Sequence, residues 1–178
     1  QTSDGGYITT GNYSTFEGYC GQIRPNIYLI KTNSEGDEEW NQTLGFGRGY
    51  SVQETSDNGY IVAVIKSWEC DYWTCDRGSL IKTNSNGDLE WSKQYNFGMN
   101  DSQECSSGWF TSLQQIADGG YILLGRSGSL EPGEYYVWLI KTDSDGEEEW
   151  NQTFGGSYGD FGCSLEQTTD GGYIITGY

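Results

Sequence analysis

The chain has 178 residues, enough for one domain, and its 27 glycines, 14 tyrosines and 7 tryptophans are the balance of an all-β protein with aromatic strands and glycine turns. Nine basic against 26 acidic residues leave a net charge of −17, which repels phosphate backbones and anionic lipid, argues against a nucleic-acid partner and suits solubility in a salty or extracellular medium. There is no histidine, so the commonest general base and every Ser-His or Cys-His arrangement are excluded.

In chain order, the first ordered feature is Asp4-Gly-Gly-Tyr-Ile, which returns as Asp57-Asn-Gly-Tyr-Ile, Asp118-Gly-Gly-Tyr-Ile and Asp170-Gly-Gly-Tyr-Ile at spacings of 53, 61 and 52 residues. A short polar-apolar segment precedes the later copies (Ser51-Val-Gln-Glu-Thr, Ser112-Leu-Gln-Gln-Ile, Ser164-Leu-Glu-Gln-Thr), and a hydrophobic one follows. Asp-Gly-Gly between two such segments predicts a hairpin turn. The second feature runs from Leu29 with Lys31, Gly36 and Trp40, then from Leu80 with Lys82, Gly87 and Trp91, then from Leu139 with Lys141, Gly146 and Trp150. Lys to Gly is always five residues and Lys to Trp always nine, which predicts a second tight hairpin.

One repeat therefore holds four strands in meander order: Ser164 to Thr168, Gly120 to Gly125, Tyr136 to Thr142 and Glu148 to Phe154, with equivalents in the other copies. Val137-Trp-Leu-Ile is apolar at successive positions, as expected of a strand covered on both faces. Four strands on a period near 50 residues predict β-propeller blades, with repeats at approximately 1–49, 50–109, 110–161 and 162–178, the first and last incomplete. The expectation is an all-β, partial propeller of four-stranded antiparallel blades, about three and a half of them. That is short of the usual 4 to 8, so a segment of a longer chain, or a subunit capped by another copy, is expected.

The order strand, Asp-Gly-Gly, Tyr-Ile-x-x-Gly, long loop, strand, Asx-x-x-Gly turn, Glu-x-Trp resembles the kelch and quinoprotein-like propeller repeats, and those of large surface and secreted proteins of bacteria and archaea. The resemblance covers essentially the whole chain. It implies a propeller in which Trp40, Trp91 and Trp150 pack blade to blade, and it implies little about function, because propellers host unrelated activities. A quinone at the ring axis would follow only for the quinoproteins, and no cofactor is expected here.

Connections in an antiparallel meander alternate between two ends of the sheet. Asp to Lys varies (27, 25, 23 residues), as does Trp to the next Asp (17, 27, 20), so all length variation falls on the end with the 2–3 and 4–1 connections. That end also carries Tyr13, Phe16, Tyr19, Trp68, Tyr72, Trp73, Met99, Trp109, Tyr135, Tyr158 and Phe161. Such rings either stack on sugars or fill gaps between neighbouring loops; Trp68, Tyr72, Trp73 and Trp109 are the candidate ligand-binding residues.

The five cysteines form no C-x-x-C pair, which argues against zinc. Cys70 and Cys75 enclose four residues and are expected to form a local disulfide across their loop; Cys20, Cys105 and Cys163 remain, an odd number that needs an outside partner or leaves a free thiol. Asn-x-Ser/Thr sequons begin at Asn12, Asn41, Asn100 and Asn151 and, with the loop cysteines, favour an oxidising, extracellular or cell-surface setting.

Asp143-Ser-Asp-Gly resembles the start of a calcium loop, making Asp143 and Asp145 candidate metal ligands, but the matching residues are Asn33 and Glu35, then Asn84 and Asn86. Asx residues in a hairpin turn need no metal. The same turn nearly matches the sialidase Asp-box, with one residue more between Gly and Trp; an Asp-box is itself structural. The Glu147-Glu148-Glu149 run is read as an edge strand protected from aggregation. The sequence thus points to an extracellular structural or adhesive module of a surface glycoprotein or filament, not an enzyme. Its expected partners are other chains or the rest of a longer one, and possible glycans, without membrane insertion. A carbohydrate-binding propeller is the second reading and a propeller glycoside hydrolase, which needs only two carboxylates, the third.

Overall fold

The computed structural model describes residues 1–16, 23–70, 73–95, 108–128, 135–156 and 159–178, with the side chains of 15, 16, 23, 24, 67–70, 73–76 and 128 outside the described set. The described residues form thirteen strands and no helix. Sheet A holds β1 (Tyr7–Phe16), β2 (Ile23–Thr32) and β3 (Glu38–Phe46), and sheet B holds β4 (Arg48–Glu54), β5 (Tyr60–Cys70), β6 (Trp73–Thr83) and β7 (Leu89–Gln94). Sheet C holds β8 (Trp109–Gln115), β9 (Tyr121–Gly128), β10 (Tyr135–Thr142) and β11 (Glu148–Phe154), and sheet D holds β12 (Gly162–Gln167) and β13 (Tyr173–Gly177). Every pairing is antiparallel between consecutive strands.

Both invariant spacings are hairpins. In Asp4-Gly-Gly and its three later copies the aspartate Oδ1 accepts the amide two residues on, and the intervening residue is left-handed: Gly5 (φ 87°), Asn58 (64°), Gly119 (89°) and Gly171 (86°). In the other hairpin the first turn residue caps the loop: Oδ1 of Asn33, Asn84 and Asp143 each accepts two amides, the last from Asp145 and Glu147. Carboxylate and carboxamide oxygens do this equally, which is why the charge drifts between copies while the turn length does not.

One expectation is corrected. The connection around Trp68, Cys70, Trp73 and Cys75 is not a loop: β5 and β6 stay paired to Trp68↔Cys75 and Cys70↔Trp73, leaving only residues 71–72 between them. Alternating aromatic and polar residues without proline let the antiparallel ladder run on to a two-residue connection. Tyr13 and Tyr135 likewise belong to β1 and β10.

The sheets pack face to face in chain order, and each of the three interfaces is an apolar cluster. Ile27 and Leu29 of sheet A meet Tyr60, Val62, Val64 and Ile81 of sheet B; Ile61, Ala63 and Leu80 of B meet Phe110, Tyr121, Leu123, Trp138 and Ile140 of C; Ile122, Leu124 and Leu139 of C meet Leu165, Tyr173 and Ile175 of D. Alternate residues of β5 and β9 thus enter different clusters, which explains the unbroken apolar runs. β4 lies against β8, and β8 against β12.

Candidate functional site

The repeated residues converge at these interfaces. Trp40 packs on Tyr60, Trp91 on Tyr121 and Trp150 on Tyr173, with ring centroids 5.6, 6.1 and 6.0 Å apart and interplanar angles of 60°, 59° and 58°. The Glu-Trp pair of one sheet therefore brings its tryptophan to the Tyr-Ile of the next. Over the indole lies the next sheet's turn glycine: a Cβ on Gly87 would sit 2.7 Å from Trp40 Cζ3, and one on Gly146 2.8 Å from Trp91 Cη2. Tyr95 donates its buried hydroxyl to the Gly146 carbonyl at 2.8 Å, and burial drives its pKa well above the phenolic range.

Each lysine of the second motif holds its own sheet together. Lys31 bridges Asp4 and Glu39, both at 2.7 Å; Lys82 bridges Asp57 and Glu90 at 2.9 and 3.0 Å; Lys141 bridges Asp118, at 2.9 Å, and Glu149. The ammonium is withdrawn from solvent while the carboxylates are about half exposed. Burial pushes the Asp57 carboxyl up, but bonds from Lys82, Thr55 and the Gly59 amide outweigh it and bring the pKa down to about 2. Bonds from Lys31 and Lys141 lower Asp4 and Asp118 too. The second glycine of the motif is required by this packing, because a Cβ on Gly6 would meet the Thr32 carbonyl oxygen at 2.1 Å and Lys31 Nζ at 2.7 Å.

These contacts add to the reading of the glutamate run, whose last two residues lie on β11 at the edge of sheet C. Glu147 pairs with Lys93 of the preceding sheet, Glu148 accepts from Asn151 Nδ2, and Glu149 completes the Lys141 triad. The run is a set of three specific contacts, invisible in a single copy because Lys93 is distant in sequence.

At the opposite end, where connection lengths vary, the described residues form one concentrated feature. Arg126 of β9, only 9% exposed, lies with its guanidinium carbon 3.3 Å from the Trp109 ring centroid, 4.0 Å from Tyr135 and 4.8 Å from Phe161. Trp109 is its cross-strand partner, and Phe161 stacks on Tyr178 at 5.2 Å. Burial lowers the Arg126 pKa, and its Nε has no hydrogen-bond partner among the described residues. The cage joins β8, β9, β10 and the approach to β12, so it pins the connection between sheets C and D by cation–π contact. Sequence reasoning singled out Trp109 and noted Tyr135 and Phe161 but missed Arg126, whose signal is a lone cation at the end of Tyr-Ile-Leu-Leu-Gly-Arg.

Of the other candidate ligand-binding residues, Trp68 and Trp73 lie on the β5–β6 ladder with side chains outside the described set, and Tyr72 lies outside the described residues. Cys70 and Cys75 are offset by two residues on that ladder, their sulfurs likewise undescribed; Cys20, Cys105 and Asn100 fall outside the described residues. Cys163 is a free, exposed thiol on β12. Asn12, Asn41 and Asn151 are exposed. Asn41 and Asn151 occupy equivalent positions and donate to Glu38 and Glu148 at 2.6 and 2.5 Å. Asp143 and Asp145 stand in the turn described above, and no cluster of three or more metal-ligating side chains occurs among the described residues. No described helix is long and apolar enough to cross a membrane. No protein-family model matches the chain, and no curated protein matches it.

Proposed function

We propose that the chain is a β-propeller segment of an extracellular or cell-surface protein, with each sheet a blade, and that its role is structural or adhesive within a surface glycoprotein or filament. The observation carrying this reading is that at the junctions between described sheets the repeated residues serve packing: tryptophan, tyrosine and turn glycine between sheets, aspartate, lysine and glutamate within them. Adjacent first strands, β4 with β8 and β8 with β12, suit blades around an axis. Among the described residues, the carboxylates with resolved shifts are all lowered, by hydrogen bonds from lysine, hydroxyl and amide partners, which suits a part in holding each sheet together. Calcium has no repeated ligand set to support it, and glycans on Asn12, Asn41 and Asn151 suit their exposure.

Carbohydrate binding is the second reading, favoured by the aromatic cluster at the variable end. The test couples the protein to beads and measures bead-to-bead adhesion alongside a glycan array. The adhesive role predicts saturable adhesion that disappears when residues 69–74 are replaced by Asn-Gly, with the thermal unfolding curve unmoved. Absence of adhesion together with glycan binding lost in Trp109→Ala would overturn it in favour of a lectin.

A further inference from the structure

Arg126 stands at a position that the repeat does not need charged. It follows the motif tyrosine by five residues, a place that the four copies fill with Asn12, Ile65, Arg126 and Tyr178. In sheet B the residue there is apolar and 1% exposed, and its cross-strand pair, Arg48↔Ile65, is the equivalent of Trp109↔Arg126. Alternation puts Arg126 on the face of β9 that carries Ile122 and Leu124, so the column that seals sheet C against sheet D ends in a cation where its counterpart in sheet B ends in an aliphatic side chain.

A guanidinium withdrawn this far from solvent is costly unless it is paired and hydrogen-bonded. Among the described residues it forms no ion pair and no hydrogen bond, and its Nε is the one buried side-chain nitrogen or oxygen left without a partner. Stacking offsets part of that cost but supplies no acceptor. Rings as close to the guanidinium carbon as Trp109 and Tyr135 occupy its faces, so an acceptor must come to the N–H edge. A planar carboxylate matches that fork, and a net charge of −17 penalises a multiply charged anion more than a singly charged one. Trp109, Tyr135 and Phe161 are each only half-buried and offer apolar ring surface beside it.

We propose that Arg126 anchors a binding site for a uronic acid, whose carboxylate takes the Nη edge of the guanidinium while the sugar ring lies against the exposed parts of Trp109, Tyr135 and Phe161. The site rests on the carbohydrate-binding reading and deepens it by naming the anchor and the ligand class; it is independent of the adhesive role.

The test titrates the protein with sodium D-glucuronate, D-glucose and sodium acetate, read by calorimetry and by tryptophan fluorescence. The expected result is saturable glucuronate binding that neither glucose nor acetate reproduces, weakened about tenfold or more in Arg126→Ile, since a hydrogen bond to a charged group is lost. Arg126→Ile restores the side chain that sheet B carries at this place and should keep cooperative urea unfolding. Arg126→Lys, which keeps the charge and loses the planar fork, should also weaken binding and serves if the isoleucine variant does not fold. No saturable glucuronate binding, equal binding of glucose or of acetate, or glucuronate binding unaltered in the folded variants overturns the proposal. Neutral glycans bound and lost in Trp109→Ala, with glucuronate not bound, would keep the lectin reading and remove this site.

Discussion

Replacing Gly146 by alanine separates two demands that the turn glycine meets at once. Gly146 has φ 76°, and a Cβ there would stand 2.8 Å from both Cη2 and Cζ3 of Trp91. Left-handed backbone costs alanine about 1–2 kcal/mol. Forcing a methyl onto a packed indole adds about 1–3 kcal/mol. Gly146→Ala should therefore destabilise by about 2–5 kcal/mol, read as a shift of the urea midpoint at constant slope. In a Trp91→Ala background the steric part vanishes, and the same substitution should fall back to the backbone cost of about 1–2 kcal/mol. Equal costs in the two backgrounds would refute the claim that the glycine is required by the neighbouring sheet. Gly36→Ala, at φ 90° with nothing within 4 Å, should show only the backbone part wherever the outer face of sheet A is bare.

Three further outcomes follow from the same geometry. Asp57, at about 2, titrates below its unfolded value, so its contribution is full above about pH 4 and is lost as pH falls through about 2. Lys141 is raised by Glu149 and Asp118, so its contribution is present below its ordinary pKa and is lost only in strong alkali; the urea midpoint should hold steady in between, and Lys82→Met should flatten the acid limb. Arg126→Lys, which keeps the charge and loses the planar stack, should cost about 1–2 kcal/mol and change the near-ultraviolet circular dichroism of the Trp109 cluster, whereas Arg77→Lys on the exposed surface should do neither. Cys163 should react with iodoacetamide in the folded protein without denaturant, at the rate of an exposed thiol.

Local rules made much of the framework legible. The strand read as Glu148 to Phe154 coincides with β11, and both hairpins fall where constant spacing placed them, because a turn of fixed length is set by residues within it. The Trp68–Cys75 stretch was misread because cysteine and aromatic content suggested a loop, while the ladder depends on register across strands that no single segment reveals. The lysine triads join residues 27, 25 or 23 positions apart on one side and 8 on the other and emerge only when the strands pair, while Lys93 finds Glu147 only when two sheets are stacked. Arg126 escaped for a related reason, since its cage is drawn from four separate strand ends.

The interfaces point one way along the chain, and this shapes how the molecule comes apart. A sheet grips its successor with tryptophan and is gripped by its predecessor through tyrosine and glycine, so its stability divides into an intrinsic part, the lysine triad and ladders, and a coupling part to each adjacent sheet. Such a system behaves as a one-dimensional array of nearest-neighbour couplings. Weakening one junction leaves the others intact and marks the place where an unfolding front stops or starts, and repeats can be added or lost without redesigning the rest.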